Sequence, residues 1–358
     1  MEVKEKIKEL KDKGMPIYSI SRLNTVDNCG WEYWQTYMEH AEPKENIYSF
    51  AGTKIHSALE QLQNNKDINL PKEIEDILNQ AEILDIHFPS DTIKDKWVKD
   101  IRCFAQDYHK KEYKKWETEK LFLFELGGKY LQGIIDLLVY NEDETISIID
   151  YKTSSKFSNK DLEEKGRQLI LYGLAMEQMG YKVKDLAWNM LKYVEISYPL
   201  KNGKTKTVVA ERGFILEKLK SDITKELTSS NVFTPLEVEE MVDNAVLSNS
   251  FDPLPSSIKS KYTIQDYMVY YDFTPERKIE TQLFIEAKIN EIEAFEDDKT
   301  YWTPKEINAG TSFYCENLCN HRDKCEYLKE YQERMEYFNS ISEEALREKE
   351  LEAVSFFT

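Results

Sequence analysis

The stretch KYLQGIIDLLVYNEDETISIIDYK, residues 129–152, decides the fold of this chain. It contains two apolar runs rich in Ile, Leu and Val, and the polar residues 141–144 separate them, which is typical of a β-hairpin. Each run carries one carboxylate where an apolar side chain is expected, Asp136 in the first run and Asp150 in the second. Because an unpaired buried carboxylate is costly, the pattern predicts that both acids bind a positive partner.

Lys152 follows Asp150 by two residues, so both side chains project from the same face of the strand. The ammonium is then about 6–7 Å from the carboxylate along the strand. Mg²⁺ or Mn²⁺ would explain both acids, since hard cations prefer carboxylate oxygens. Beside such an ion, Lys152 could lower the pKa of an attacking water or stabilise transition-state charge. Taken singly, each residue is also explained as a hairpin-edge aspartate or a surface lysine.

The segments around this hairpin predict an α/β fold. A strand at 121–126 joins the hairpin through Gly127-Gly128, and strands at 186–198 and 204–210 flank the turn Asn202-Gly203. The helix after Lys152 is predicted from 159 to 179 and ends at Gly180. Helical patterns fill most of the chain before these strands, at 2–13, 19–38, 51–62 and, with interruptions, on to 116.

Four segments follow from this pattern. They are a helical N-terminal segment at 1–50, an α/β core at 51–230, an irregular insertion or lid at 231–278, and a helical C-terminal region at 279–358. The insertion is predicted to be irregular because it contains several prolines, namely Pro235, Pro253, Pro255 and Pro275.

Composition narrows the location and the partners. No apolar run approaches the roughly 20 residues that span a bilayer, and residues 1–14 are typical of a charged helix, not a signal peptide. We therefore expect a cytoplasmic protein without a membrane partner. The net charge of −18 argues against passive nucleic-acid binding and predicts modest non-specific DNA affinity, or a partner that delivers the strand.

Five cysteines without an export signal argue against a disulfide framework. Cys315, Cys319 and Cys325 cluster near the end of the chain, and three thiolates close together favour a soft metal. The spacing leaves three candidates for the fourth ligand: Cys29, Cys103 and His321.

Two helical segments add further candidates. His56 closes the sequence Gly-x-x-x-His at 52–56, ahead of the predicted sheet, although a lone histidine is more often structural. Gln168 and Tyr172 lie four residues apart on one face of the helix after Lys152. An ordinary amphipathic helix explains that pair equally well.

In chain order, Gly-x-x-x-His at 52–56, Gly-x-x-Asp at 133–136, Asp-Tyr-Lys-Thr at 150–153 and Gln-x-x-x-Tyr at 168–172 resemble the PD-(D/E)xK superfamily, specifically its RecB-type nuclease branch. The resemblance covers residues 18–172 and the terminal cysteines. It implies a restriction-endonuclease-like mixed sheet flanked by helices, with a helical N- and C-terminal layer joined by a cysteine-bound cluster. Ile135 stands where the superfamily name has proline, as is common in this branch.

The resemblance also implies roles for individual residues. The implied ligands of Mg²⁺ or Mn²⁺ are His56, Asp136, Asp150 and the backbone carbonyl of Tyr151. Lys152 is the implied catalytic lysine, and Gln168 and Tyr172 orient it or contact DNA. Glu125 matches a carboxylate that is often found on the preceding strand.

In iron–sulfur members of the branch, including AddB-like and CRISPR-associated exonucleases, one cysteine precedes the nuclease motifs and three follow them. The resemblance therefore implies that Cys29, Cys315, Cys319 and Cys325 hold a [4Fe–4S] cluster that staples the two ends of the chain, with Zn²⁺ as the alternative. Gly30 replaces the proline that usually follows the first cysteine, and three residues instead of two separate Cys315 from Cys319. Cys103 is then a small buried hydrophobe.

The implied function is metal-dependent cleavage of DNA by attack of water on phosphorus, as an exonuclease on single-stranded ends. A histidine ligand predicts that Mn²⁺ is at least as effective as Mg²⁺. The sequence lacks a Gly-x₄-Gly-Lys-Ser/Thr phosphate loop, so a helicase or other recombination protein would be a separate partner. The alternatives are a non-catalytic DNA-binding subunit, and an endonuclease or RNase on the same fold.

Overall fold

The computed structural model of the protein describes residues 3–200 and 202–355, with side chains except at 159–160 and 342–355. The chain divides into two compact units. The first, which we call the sheet unit, contains the residues up to Ile20 and Ile47–Ile285. The second, which we call the cysteine unit, contains Ser21–Asn46 and the residues from Glu286 onward.

Seven strands in the described residues form one mixed sheet. They are β1 (Ile17–Tyr18), β2 (Trp116–Leu126), β3 (Lys129–Tyr140), β4 (Thr145–Lys152), β5 (Lys182–Pro199), β6 (Thr205–Glu211) and β7 (Thr263–Tyr270).

The helices that the structure describes are α1 (Val3–Asp12), α2 (Ile20–Asn28), α3 (Gly30–Tyr33), α4 (Ile47–Gln63), α5 (Leu70–Ile83), α6 (Asp91–Asp107), α7 (Asn159–Gln178), α8 (Ile215–Ser229), α9 (Pro235–Ser248), α10 (Ser256–Lys259), α11 (Pro275–Phe295), α12 (Ser312–Asn317) and α13 (Glu326–Ser355). No helix among the described residues is both long and apolar enough to cross a bilayer.

The predicted hairpins are confirmed. β2 and β3 pair antiparallel around Gly127 and Gly128, which both have positive φ, as a two-residue hairpin turn requires. β3 and β4 also pair antiparallel, and β5 pairs antiparallel with β6. β4 pairs parallel with β5, and the crossover between them is α7, which a capping box at Ser158 and Asp161 starts.

The long strand β5 has different partners along its two edges. β7 pairs with residues 187–189 and 194–197 of β5, while β4 pairs with 182–190 and β6 with 193–199. Since a strand has only two edges, β4 and β6 occupy successive stretches of the edge opposite β7. The end of β4 therefore marks a break along this edge of β5. Beyond the break, the edge is paired with β6, whose last residue Glu211 lies opposite Tyr193.

Helices cover both faces of the sheet. α4, α5 and α6 pack on one face in a core that includes Leu137, Val139 and Tyr151, while α7 packs on the other face. Asp136 and Asp150 alternate with these core residues, so the period of two along each strand turns the carboxylates away from the α4–α6 core. The predicted α/β sheet flanked by helices is confirmed, and it is consistent with a restriction-endonuclease-like fold.

Two predictions of local structure are wrong. Residues 231–278 are not an irregular insertion, because they form α9, α10 and β7, and β7 extends the sheet by pairing with β5. Pro235 is the first residue of α9 and follows an N-cap at Thr234, a position where proline suits a helix.

The predicted single helix over 19–38 is also wrong. Cys29 has extended backbone (φ −158°, ψ 109°) between α2 and α3, and a π-helical turn covers Trp34–Met38. Gly30 packs against the backbone of Thr303, where an added Cβ would lie 2.8 Å from the carbonyl oxygen. That close approach, together with a hydrogen bond from Trp31 N to Thr303 O of 3.0 Å, fixes the break.

Candidate active site

Three acidic residues lie in a row across three neighbouring strands of the sheet unit. The register of β3 and β4 pairs Leu137 with Ile149, and its continuation sets Asp136 opposite Asp150. The register of β2 and β3 sets Glu119 opposite Asp136 in the same way. Directly opposed residues project from the same face of a sheet, about 5 Å apart. The hairpins thus bring together carboxylates that are distant in sequence.

Asp150 is the most deeply buried of these acids, with 3% of the residue exposed. Lys152 Nζ lies 2.7 Å from Asp150 Oδ2, as expected for residues two apart on one face of a strand. This ion pair lacks hydrogen-bond geometry, so Asp150 Oδ2 is buried without a hydrogen bond. Burial raises the pKa of Asp150, and the nearby charge of Asp136 adds to that rise while Lys152 opposes it.

His56 reaches Asp136 from helix α4. His56 Nδ1 lies 3.3 Å from Asp136 Oδ2, and the same oxygen accepts a hydrogen bond of 2.8 Å from the backbone N of Tyr151. Burial would lower the pKa of His56 and raise that of Asp136, but their interaction outweighs burial in both cases. The pKa of His56 is therefore raised and that of Asp136 is lowered.

Gln168 and Tyr172 of α7 form a relay behind the lysine. Lys152 Nζ donates to Gln168 Oε1 at 3.3 Å, and Gln168 Nε2 donates to the Tyr172 hydroxyl at 2.6 Å. The Tyr172 ring packs edge-on against Phe122, with centroids 5.5 Å apart. Burial raises the pKa of Tyr172 far above its usual value, so its hydroxyl stays protonated. The predicted pair therefore lies beside Lys152.

The side chains at this site suit a hard divalent cation. Two carboxylates and an imidazole supply the donor types that Mg²⁺ and Mn²⁺ accept, and Asp150 Oδ2 is a buried acceptor with an ion pair to Lys152 but no hydrogen bond. In the described part of the chain, no three His, Cys, Asp or Glu side chains are spaced as a formed metal site. The present contacts explain this, because Lys152 and His56 occupy oxygens of Asp150 and Asp136.

Glu119, an exposed residue of β2, is an acid beside the candidate site that the sequence analysis missed. It has a left-handed backbone (φ +48°) within β2, and burial and then the charges of Asp136 and Glu60 raise the pKa of its carboxyl. The signal was available, since a two-residue turn at 127–128 sets Glu119 opposite Asp136. Glu125, the carboxylate that we expected on this strand, instead pairs with Tyr130 near the hairpin turn. It lies about 20 Å further along the strand.

The cysteine unit contains a second cluster of candidate ligands. A small pocket there, of about 20 Å³, is lined by residues that include Cys29, Cys315, Cys319 and Cys325. None of the five cysteines forms a disulfide. The pKa of each of these four thiols is raised, chiefly by burial, to about 11 for Cys315.

Backbone and side-chain groups surround these sulfurs. Lys305 N donates to Cys29 Sγ at 3.3 Å, and His321 N donates to Cys319 Sγ at 3.4 Å. Glu32 lines the same pocket, and its carboxylate accepts a hydrogen bond of 2.9 Å from the hydroxyl of Tyr314. These thiols are protonated at neutral pH unless a cation compensates their charge, because burial disfavours thiolates.

The other two candidates for the fourth ligand lie elsewhere. His321 is buried outside the lining of this pocket, and its Nε2 forms a 2.8 Å hydrogen bond with Thr36 Oγ1. Cys103 lies on α6 of the sheet unit, half-buried. Of the three candidates, only Cys29 lines the pocket with the clustered cysteines.

Two carboxylates and a lysine on the middle strands of a mixed sheet, with a histidine from helix α4, form the arrangement expected of metal-dependent nucleases with restriction-endonuclease-like folds. Comparison with family models agrees with this class. The model of the PD-(D/E)XK nuclease superfamily matches residues 17–326, and the chain belongs to that superfamily. The family is one of metal-dependent phosphodiester-cleaving nucleases that typically use Mg²⁺ or Mn²⁺. No curated protein matches the chain in sequence.

Proposed function

We propose that the protein is a deoxyribonuclease that degrades single-stranded DNA from its ends with Mg²⁺ or Mn²⁺. The proposed ligands of the cation are His56, Asp136, Asp150 and the backbone carbonyl of Tyr151. One observation carries the proposal: Asp150 Oδ2 is buried without a hydrogen bond, 2.7 Å from the Lys152 ammonium and beside the His56–Asp136 pair.

The cation, when bound, would act as a Lewis acid toward the phosphate and lower the pKa of water. Lys152 would donate a hydrogen bond to the phosphate and stabilise negative charge as it develops in the transition state. Its ammonium is available for this task because the strand directs it to the same side as Asp150. With its charge fixed close to the carboxylates, Lys152 also offsets their mutual repulsion before substrate binds.

Gln168 and Tyr172 are proposed as positioning residues. Gln168 accepts from Lys152 and donates to Tyr172, so it holds the ammonium in one orientation. Tyr172 is itself held by its ring contact with Phe122. Because burial raises the pKa of Tyr172 and keeps its hydroxyl protonated, the relay orients the Lys152 side chain through hydrogen bonds to neutral groups. Glu119 and Glu60 would extend the negative region beside Asp136.

We further propose that Cys29, Cys315, Cys319 and Cys325 bind a [4Fe–4S] cluster with a structural role. The backbone hydrogen bonds to Cys29 and Cys319 support this, since N–H donors to sulfur are a common feature of such clusters. Zn²⁺ is the second candidate, because four cysteine thiolates are also the ligands of structural zinc sites.

The nuclease proposal is tested by incubating linear and circular single-stranded DNA, and matching RNA, with Mn²⁺ or Mg²⁺, with and without chelator. We expect degradation of linear DNA only, and only with metal. Lys152→Ala should lower kcat by about 10²–10³-fold, the range for losing one charge-stabilising donor. His56→Ala and Asp136→Ala should do likewise.

Matched controls come from the surface of the same unit. His87 is exposed and paired only with Asp85, and Lys72 is exposed on α5, so His87→Ala and Lys72→Ala should keep wild-type rates. Wild-type cleavage by all three site variants would refute the site. Cleavage of circular DNA would make the enzyme an endonuclease, and a wild-type protein that binds DNA but never cleaves would make it a binding subunit.

The cluster proposal has its own test. Anaerobically purified protein should contain iron and acid-labile sulfide, with a brown colour that Cys315→Ser removes and Cys103→Ser retains. Stoichiometric zinc in a colourless protein without sulfide would replace the cluster with the single-ion site.

A further inference from the structure

A pocket of about 940 Å³ lies in the sheet unit just beyond the end of β4. Its lining includes Lys156, in the loop after β4, and Tyr193, on β5. β4 ends with Lys152 opposite Met190 of β5, and Tyr193 follows three residues later, where it pairs with Glu211 of β6. Three strand residues span about 10 Å. The pocket therefore lies about 10 Å beyond the end of β4, at the break between β4 and β6 and on the face of the sheet that α6 covers.

Lysines slightly outnumber carboxylates in the lining of this pocket, although the chain as a whole is acidic. Its lining contains four lysines and three carboxylates: Lys96, Lys99, Lys156, Lys218, Asp95, Glu211 and Glu217. Lys96 Nζ lies 3.0 Å from Glu211 Oε2, and no ion pair within the described ranges engages the other three lysines. The whole chain has 48 basic and 66 acidic residues, so a local excess of lysine marks a surface for anions.

Two of these lysines are paired with aromatic rings. Lys99 Nζ lies 4.2 Å from the ring centroid of the half-buried Phe214, and Lys156 Nζ lies 5.6 Å from that of Tyr193. The backbone N of Lys156 also donates to the Tyr193 hydroxyl at 3.3 Å, which ties the loop to β5. Cations interleaved with aromatic rings bind the phosphates and bases of single-stranded nucleic acid.

A buried cation lies behind the pocket. Lys192 is only 7% exposed and follows Leu191 of the core, with its ammonium 5.9 Å from the Tyr193 centroid. Burial lowers the pKa of Lys192, while Asp100 and Glu211 oppose that effect. Lys192 therefore offsets the negative charge of Asp100 and Glu211, which would otherwise disfavour an anion in the pocket.

We propose that this pocket is a substrate subsite, which binds a phosphate and its base on the same nucleic-acid strand that the active site cleaves. Lys99 and Lys156 would contact the phosphate, and Phe214 the base. This inference rests on the proposed nuclease function. The Cα atoms of Lys152 and Lys156 are at most about 14 Å apart. The subsite would therefore bind a nucleotide of that strand away from the cleaved bond.

The test compares two double variants with the same change in charge. Lys99→Gln/Lys156→Gln removes the subsite lysines, and Lys66→Gln/Lys72→Gln removes two exposed lysines near α5. Binding of fluorescent single-stranded oligonucleotides is measured by anisotropy in chelator across a salt series, so no cleavage intervenes. The slope of log K against log salt should fall by about 0.7 for the subsite variant, because its two lysines share one phosphate contact.

The control variant should keep the wild-type slope. Wild-type affinity should rise from a dinucleotide to a hexanucleotide, and the subsite variant should lose that rise. Equal slopes for the two double variants would overturn the subsite. Failure of the nuclease proposal gives a different result. If the two double variants differ in slope in chelator but the wild type never cleaves with Mn²⁺, the pocket is a binding site and only the proposed catalytic function is refuted.

Discussion

Replacing Asp150 with asparagine should stabilise the metal-free protein while abolishing its response to metal. The substitution keeps the shape of a side chain that is 3% exposed and removes the charge from an oxygen that has no hydrogen bond. Relief of an unsatisfied buried charge contributes about 1–3 kcal/mol. The ion pair lost with Lys152 offsets about 0–1 kcal/mol, since the lysine side chain remains 23% exposed to solvent. The metal-free variant should therefore gain up to about 3 kcal/mol.

When the cation is present, the wild type should become more stable than Asp150→Asn. At a Mn²⁺ concentration of 100 times Kd, binding to the folded state stabilises the wild type by about 2.7 kcal/mol. At about 2–4 °C per kcal/mol for a domain of this size, the wild-type Tm should rise by about 5–11 °C. Asp150→Asn, which lacks one ligand charge, should show little rise.

Thermal unfolding with chelator and across a Mn²⁺ series measures both effects. Asp107→Asn, at an exposed position at the end of α6, is the matched control and should follow the wild type in both conditions. A metal-free Asp150→Asn protein that melts below the wild type would refute the reasoning that this carboxylate is held at a cost to stability. An unchanged Mn²⁺ response would remove Asp150 from the ligand set.

Two further predictions concern the sheet unit. Burial raises the pKa of Asp100 from 3.8 to about 6, so the folded state favours the protonated acid. The contribution of this group to the free energy of unfolding is therefore greatest below pH 4 and falls as pH rises through 6. At neutral pH it has dropped by about 3 kcal/mol. Asp100→Asn, which keeps the acceptor for Gly213 N, should flatten this dependence in urea unfolding between pH 4 and 8, and an unchanged pH profile would contradict the cause. Gly133→Ala should lower the free energy of unfolding by about 1–3 kcal/mol through overpacking, because its Cβ would lie 2.6 Å from Cζ of the fully buried Phe122. In a double-mutant cycle, adding Phe122→Leu should recover part of that loss. Fully additive effects of the two substitutions would show that the residues do not clash.

Local sequence patterns predicted the centre of the sheet and much of the candidate site. The alternation around Asp136 and Asp150 and the spacing of two residues to Lys152 are properties of single strands, which tertiary contacts do not alter. The same logic extended through the turn at 127–128 would also have found Glu119. It was missed because we expected the strand to begin at Leu121, whereas β2 begins at Trp116.

Features that depend on distant partners could not be predicted. β7 is a strand because it pairs with β5, whose residues lie about 70 positions earlier, and the prolines around it resembled those of a loop. The break at Cys29 depends on the backbone of Thr303. Secondary-structure propensity describes each segment alone, so it cannot predict contacts that form only when the chain folds.

The cysteine unit is built from two distant parts of the chain, Ser21–Asn46 and the residues from Glu286 onward. Its two parts are therefore synthesised at different times. Residues 47–285 must leave the ribosome before the two halves can meet, a delay on the order of 10–50 s at ~5–20 residues per second. During that interval the sheet unit can complete its own long-range pairings. Cys29 is synthesised before Cys315, Cys319 and Cys325. A metal that needs all four thiols is therefore bound only after residues 47–285 of the sheet unit have been synthesised.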